Sequence, residues 1–216
     1  MNKMTRVGLG ATTALLLITS VGAIGLAAGN AGYGRYGQEA LTQAVVCDCV
    51  SSLSDTEAHD VLFMREEEKV ARDVYLTMAS LWTYRTFNNI SQSEQKHMDA
   101  LQNVIEQYGL IDPVGSNGVG VFTNNELQGL YDALIVQGSV SVIDALKVGA
   151  AIEEIDILDL RECLERTDNI DIQRVYQNLI RGSENHLRAF VNALEVRGLV
   201  YEPQYLSIAE YNLIIN

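Results

Sequence analysis

Apolar residues recur at helical spacing in four long stretches of the chain, and in each the apolar stripe contains a carboxylate or an imidazole. The first helix is expected from about Asp55 to Thr83, opened by a capping box of Ser54 and Glu57. Stepping by threes and fours through Glu68 collects Val61, Met64, Ala71, Tyr75, Met78 and Trp82, whereas the same steps through Glu67 collect Asp60, Phe63, Val70, Val74, Thr77 and Leu81. Glu68 is therefore the inward choice, Glu67 its reserve, and Glu66 is assigned to solvent. The second helix, from about Thr86 to Tyr108, carries Glu94 and His97 at the head of a stripe of Leu101, Val104, Ile105 and Tyr108.

A Gly-rich crossing from Ile111 to Thr123 shows no helical period, and a short helix from Asn125 to Gln137 follows it. The third long helix opens at Ser141 with Asp144 and runs to about Arg166. Glu153 shares its face with Val142, Leu146, Gly149, Asp156, Leu160 and Leu164, while Glu154 shares its face with Lys147, Leu158 and Arg161 and is assigned to solvent. The fourth helix, from about Ile170 to Arg197, places His186 among Val175, Leu179, Phe190, Ala193 and Leu194. These periods, with almost no alternating pattern, predict an all-α fold: an antiparallel four-helix bundle with a long crossover between its second and third helices and a short extra helix.

Only Pro113 and Pro203 interrupt the chain, which favours long helices. Residues 1–31 have the pattern of a signal peptide: Lys3 and Arg6, a run free of charge from Val7 to Ala28, then small residues suited to cleavage. The expected location is accordingly exported, with a membrane anchor as the alternative if the segment is retained. Residues 32–53 form a linker containing Cys47-Asp48-Cys49, and residues 54–216 form the bundle domain. Cys47, Cys49 and Cys163 leave a disulfide, a metal role or no role open, since C-x-C is not a zinc-finger spacing. The formal net charge of -13 disfavours nucleic acid and anionic membrane surfaces as partners and suits cations.

Burying an ionised carboxylate costs several kcal/mol unless something compensates it, so either Glu94 and His97 sit at a wet helix end or a cation lies against them. Glu-x-x-His is the unit that di-metal bundles use twice, with single Glu residues from two other helices. Here Glu94-x-x-His97 is one such unit, and Ser183-x-x-His186 is a second in which Ser stands where Glu is expected.

Several blocks together resemble the family known as domain of unknown function 2202, within the ferritin-like superfamily. They are Met64 to Tyr75, Ser93 to Ala100, Gly120 to Thr123, Asp144 to Gly149, Arg181 to Phe190 and Tyr201 to Leu206. Glu68, Ala71, Arg72 and Tyr75 are also similar to the first-helix pattern of rubrerythrin-like proteins. The resemblance implies Glu68, Glu94, His97, Glu153 and His186 as ligands, with Glu67, Asp156 and Glu184 as reserves. Tyr75 would be the catalytic side chain, a hydrogen-bond or electron donor. It implies two irons per chain, with manganese or zinc as substitutes, and activity on peroxide or O2, or oxidation of iron. An external electron donor and a second copy of the chain are the implied partners. The alternative function is a non-catalytic helical module with a degenerate or structural metal site.

Overall fold

The computed structural model describes residues 52–216, so the expectations for residues 1–31 and for Cys47 and Cys49 lie outside the described residues. Six helices and no strand occur among the described residues. They are α1 (Asp55–Trp82), α2 (Arg85–Gln107), α3 (Asn125–Gly138), α4 (Val142–Arg166), α5 (Ile170–Glu195) and α6 (Ile208–Ile215). The capping box opens α1, with Ser54 Oγ accepting from the Glu57 amide and Glu57 accepting from the Ser54 amide. Ser141 caps α4 in the same sense by accepting from the Asp144 amide.

The helices form a bundle in which α1 contacts α2, α3 and α4, α4 contacts α3 and α5, and α2 contacts α5. Trp82 Nε1, at the end of α1, donates to the Gly138 carbonyl just before α4, whereas Arg166 at the end of α4 donates to Asp60 near the start of α1. Those two helices therefore run antiparallel. Asn169 at the start of α5 bonds Tyr108 at the end of α2, and Arg197 beyond α5 donates to Tyr84 before α2, so that pair is antiparallel as well.

Two apolar cores divide the bundle lengthwise. One gathers Tyr75, Phe87, Leu146 and Phe190, and the other gathers Met64, Leu101, Leu160 and Tyr176. Along α1, α2, α4 and α5 the residues between these cores are Glu68, Glu94 with His97, Glu153 with Asp156, and Ser183 with His186. A polar layer thus crosses the middle of an otherwise apolar interior.

Two assignments to solvent are corrected. Glu66 is buried and accepts the Thr123 amide at 2.5 Å and the Asn124 amide at 3.1 Å, because the crossover lies over the outer face of α1. Arg65, Lys69 and Asp73 hold the same crossover through Asp112, the Gly118 carbonyl and the Gly120 amide. Glu154 is also fully buried, because the C-terminal segment covers α4. It accepts from the Tyr201 hydroxyl at 2.5 Å and from the amides of Gln204, Tyr205 and Leu206. That segment ends in α6, a helix beyond the four long ones and the short one of the crossover, opened by a capping box of Ser207 and Glu210.

Glu154→Ala would orphan several buried donors at once. Each costs about 1–3 kcal/mol, so the variant should lose roughly 3–5 kcal/mol in urea unfolding. A loss below about 1 kcal/mol would show that the segment is not held by this carboxylate.

Candidate metal centre

Glu68 from α1, Glu94 and His97 from α2, Glu153 from α4 and His186 from α5 converge in the polar layer, all of them buried. His97 and His186 stack, with ring centroids 5.3 Å apart. Glu94 lies between them: Oε2 is 2.8 Å from His97 Nδ1, and Oε1 is 2.8 Å from His186 Nδ1. Glu68 Oε2 lies 3.1 Å from His97 Nδ1, and Glu153 Oε2 lies 3.5 Å from His186 Nδ1. Both imidazoles therefore present Nδ1 to carboxylates on two helices.

The spacing is that of ion pairs, yet the lone pairs and protons do not all line up. Glu68 Oε1, Glu94 Oε1, Asp156 Oδ1 and His186 Nδ1 are buried without an aligned hydrogen-bond partner. Glu94, His97 and His186 each offer an atom within 4.8 Å of the others, a span one ion could bridge. Orphaned buried donor atoms are rare in folded proteins, and several converging on one point is the pattern that a bound cation resolves. The mixed carboxylate and imidazole set fits iron, manganese or zinc.

Outer contacts orient the set. His186 Nε2 lies 2.9 Å from Ser93 Oγ, which fixes the ring with Nδ1 inward. Tyr75 donates to Glu153 Oε1 at 2.5 Å, and its ring packs against Phe190. Gly182 on α5 faces His97 so closely that an added Cβ would lie 2.4 Å from Nε2, so only glycine lets that ring reach the layer. Periodicity did not reveal Ser93. Gly182 left a faint signal, since a glycine inside a helix usually has a packing reason.

The reserves fall differently. Asp156 is buried and accepts from the Ser183 hydroxyl. Glu67 is buried toward Asp159 and Asp156 rather than toward the imidazoles. Glu184 is half-buried, one position round α5, and pairs with Arg161 at 3.2 Å. Cys163 is a free, buried thiol facing Arg166, well along α4 from the layer.

Burial sets the protonation of the layer. It pushes Glu68 up to about 7 against the opposing pull of His97, and with help from the Glu94 charge it pushes Glu153 up to about 7. Burial would lower both imidazoles, but Glu68 and Glu94 raise His97 to about 12, and Glu153 and Glu94 raise His186 to about 10. Burial would raise Glu94, but His186 and His97 outweigh it and hold that carboxyl at about 2.

The fold and the layer define a helical bundle with a buried carboxylate and imidazole cluster at mid-length. A family model described as "Uncharacterized protein domain (DUF2202)" matches residues 57–216, and the chain belongs to that family. It is 49% identical over 164 residues to the uncharacterized protein MJ0754 of Methanocaldococcus jannaschii, a match covering 76% of this chain and 89% of that protein. A crystal structure of the hypothetical protein MJ0754 superposes with a TM-score of 0.74 at 50% identity, covering 76% of this chain and 93% of that one.

Two predictions follow from the geometry. Glu68, Glu153, His97 and His186, and with them Asp156, bind protons more tightly in the folded protein than their usual values of 4.5 for Glu, 6.5 for His and 3.8 for Asp, so the folded state without metal holds more protons. Its stability should fall as pH rises, through 4.5 to about 7 for Glu68 and Glu153 and through 6.5 to about 10 or 12 for the imidazoles. Glu94 has the opposite sign and matters only as pH drops below 4.5 toward about 2. Metal-free protein should therefore show a declining Tm from about pH 5 to about pH 9, and saturating Mn(II) should raise Tm more at the alkaline end, where fewer protons must be displaced. Equal stabilisation by Mn(II) across that range would contradict the assignment. Gly182→Ala should displace the His97 ring and weaken Mn(II) binding by about tenfold or more while leaving helicity intact, as read by calorimetry and circular dichroism.

Proposed function

We propose that this protein is a ferritin-like bundle that holds two divalent ions, iron by preference, and acts as an exported oxidoreductase on peroxide or O2 or as an iron(II) oxidase. The observation that carries this reading is Glu94, whose two oxygens each lie 2.8 Å from a different imidazole Nδ1, in the arrangement of a carboxylate shared between two ions. Glu68 and His97 would complete one position, and Glu153 and His186 the other. A pair of redox-active ions there would supply electrons to peroxide or O2.

The chain's own residues supply the surroundings of that chemistry. Tyr75 holds Glu153 by its phenolic proton, and burial with the adjacent Glu153 charge raises that phenol far above its ordinary range, so it keeps the proton at neutral pH. It can then donate that hydrogen bond throughout the cycle. Met64 and Leu101 on one side of the layer, and Phe87 and Phe190 on the other, exclude water from it. Turnover as a peroxide or O2 reductase needs an external electron donor, and a homodimer remains the assembly to test. Ser183, where a second Glu-x-x-His would have its carboxylate, favours one other reading, a bundle that keeps the ion for stability alone.

Metal analysis of anaerobically prepared protein is the first test, with iron or manganese expected near two per chain. His186→Ala should lose at least half of that metal with the helices intact, and Glu184→Gln should lose none. Adding O2 or peroxide to the iron(II)-loaded protein should produce a rapid oxidation step visible by absorbance. Metal binding without that step would select the structural reading, and no metal would remove both.

A further inference from the structure

Ser183 leaves the α5 unit one carboxylate short, and the structure shows what lies beside it. Asp156 stands one turn after Glu153 on α4, is 5% exposed, and accepts the Ser183 hydroxyl on Oδ2. Its other oxygen, Oδ1, has no partner. After burial, the charges that act on it are those of Glu68 and Glu153 and then Glu94, carboxylates of the layer. Ser183 is wholly buried, and its hydroxyl lies between Asp156 Oδ2 and the Leu179 carbonyl.

Glu184 pairs with Arg161 and Arg188. Glu67 also has an orphaned oxygen, Oε2, but its charged neighbours are Asp159, Asp156 and Glu68, with neither imidazole among them. We propose that Asp156 is the second bridging ligand of the centre, taking from α4 the place that a carboxylate at position 183 would hold on α5. The centre is then built on Glu68, Glu94, His97, Glu153, Asp156 and His186. Four carboxylates and two neutral imidazoles balance two divalent ions, whereas three carboxylates would leave a buried net positive charge. Ser183 acts as a positioning residue, holding Oδ2 so that Oδ1 stays free.

This inference rests on the two-ion reading, and the experiment separates the two. Mn(II) is titrated into the full chain, with stoichiometry from calorimetry and the electron paramagnetic resonance spectrum as a second readout. Wild type should bind two ions with the broadened spectrum of an exchange-coupled pair. Asp156→Asn should bind the second ion more than tenfold more weakly and give the six-line spectrum of isolated Mn(II). The swap Asp156→Ser with Ser183→Glu should restore two coupled ions, a rescue that a merely structural Asp156 would not permit. If Asp156→Asn does not fold, Ser183→Ala reads the same step and should also weaken the second ion. Two coupled ions with unchanged affinity in Asp156→Asn, or in Ser183→Ala where that variant stands in, overturn the assignment and leave the two-ion reading standing, as does a swap that fails to recover the second ion. One ion in wild type overturns the bridge but not a single-ion centre, and no ion in wild type overturns both.

Discussion

Everything in this bundle is arranged around the cost of keeping charge in its middle. Glu68, Glu94, Glu153 and Asp156 are each at most 5% exposed, and two imidazoles stand against them. Water does not screen them, so their mutual repulsion must be met by protons or by cations. Without metal, protons do part of this work, as the raised positions of Glu68, Glu153 and both histidines show. The remaining orphan atoms mark where protons do not suffice.

The apolar cores on either side of the layer are what make that arrangement rigid. Gly149 lets the Phe190 ring press against α4, and Gly182 lets the His97 ring press against α5, so helices approach where a side chain would hold them apart. A glycine within a helix costs about 1 kcal/mol relative to alanine. Here that cost is offset by the close fit of an aromatic ring and of an imidazole of the layer. The crossover and the C-terminal segment close the outer faces of α1 and α4, each pinned by a glutamate that accepts several backbone amides.

How much of this could be read from the sequence depends on which face a residue lies on. The inner seams were legible because period and burial agree there: Glu68 among Met64 and Tyr75, and Glu153 among Leu146 and Leu160, carry a carboxylate inside a run that is otherwise apolar. The outer faces were not, because periodicity assigns any charged outer position to solvent and is blind to a loop that returns to cover it. Glu66 and Glu154 failed for that reason, and both now bond to backbone amides that no side-chain pattern encodes. Ser183 shows a third limit. The absence of a carboxylate was plain and Asp156 stood among the reserves, but its contact with Ser183 across 27 positions leaves no local trace.

The polar layer also bears on what the bundle is for. If holding the helices together were its only task, leucine, methionine and phenylalanine at these positions would do it at least as well, since replacing buried ionic groups by apolar ones of similar volume is often neutral or stabilising. The chain instead places in its central layer carboxylates and imidazoles that, on the proposed reading, a bound ion would hold. It also surrounds them with devices that only orientation explains: the Ser93 contact at His186 Nε2, the Tyr75 phenol on Glu153, and the glycine behind His97. Orientation of donor atoms has no value to packing. It matters to an ion, whose binding is strongest where ligands are already aimed and their outer atoms already held.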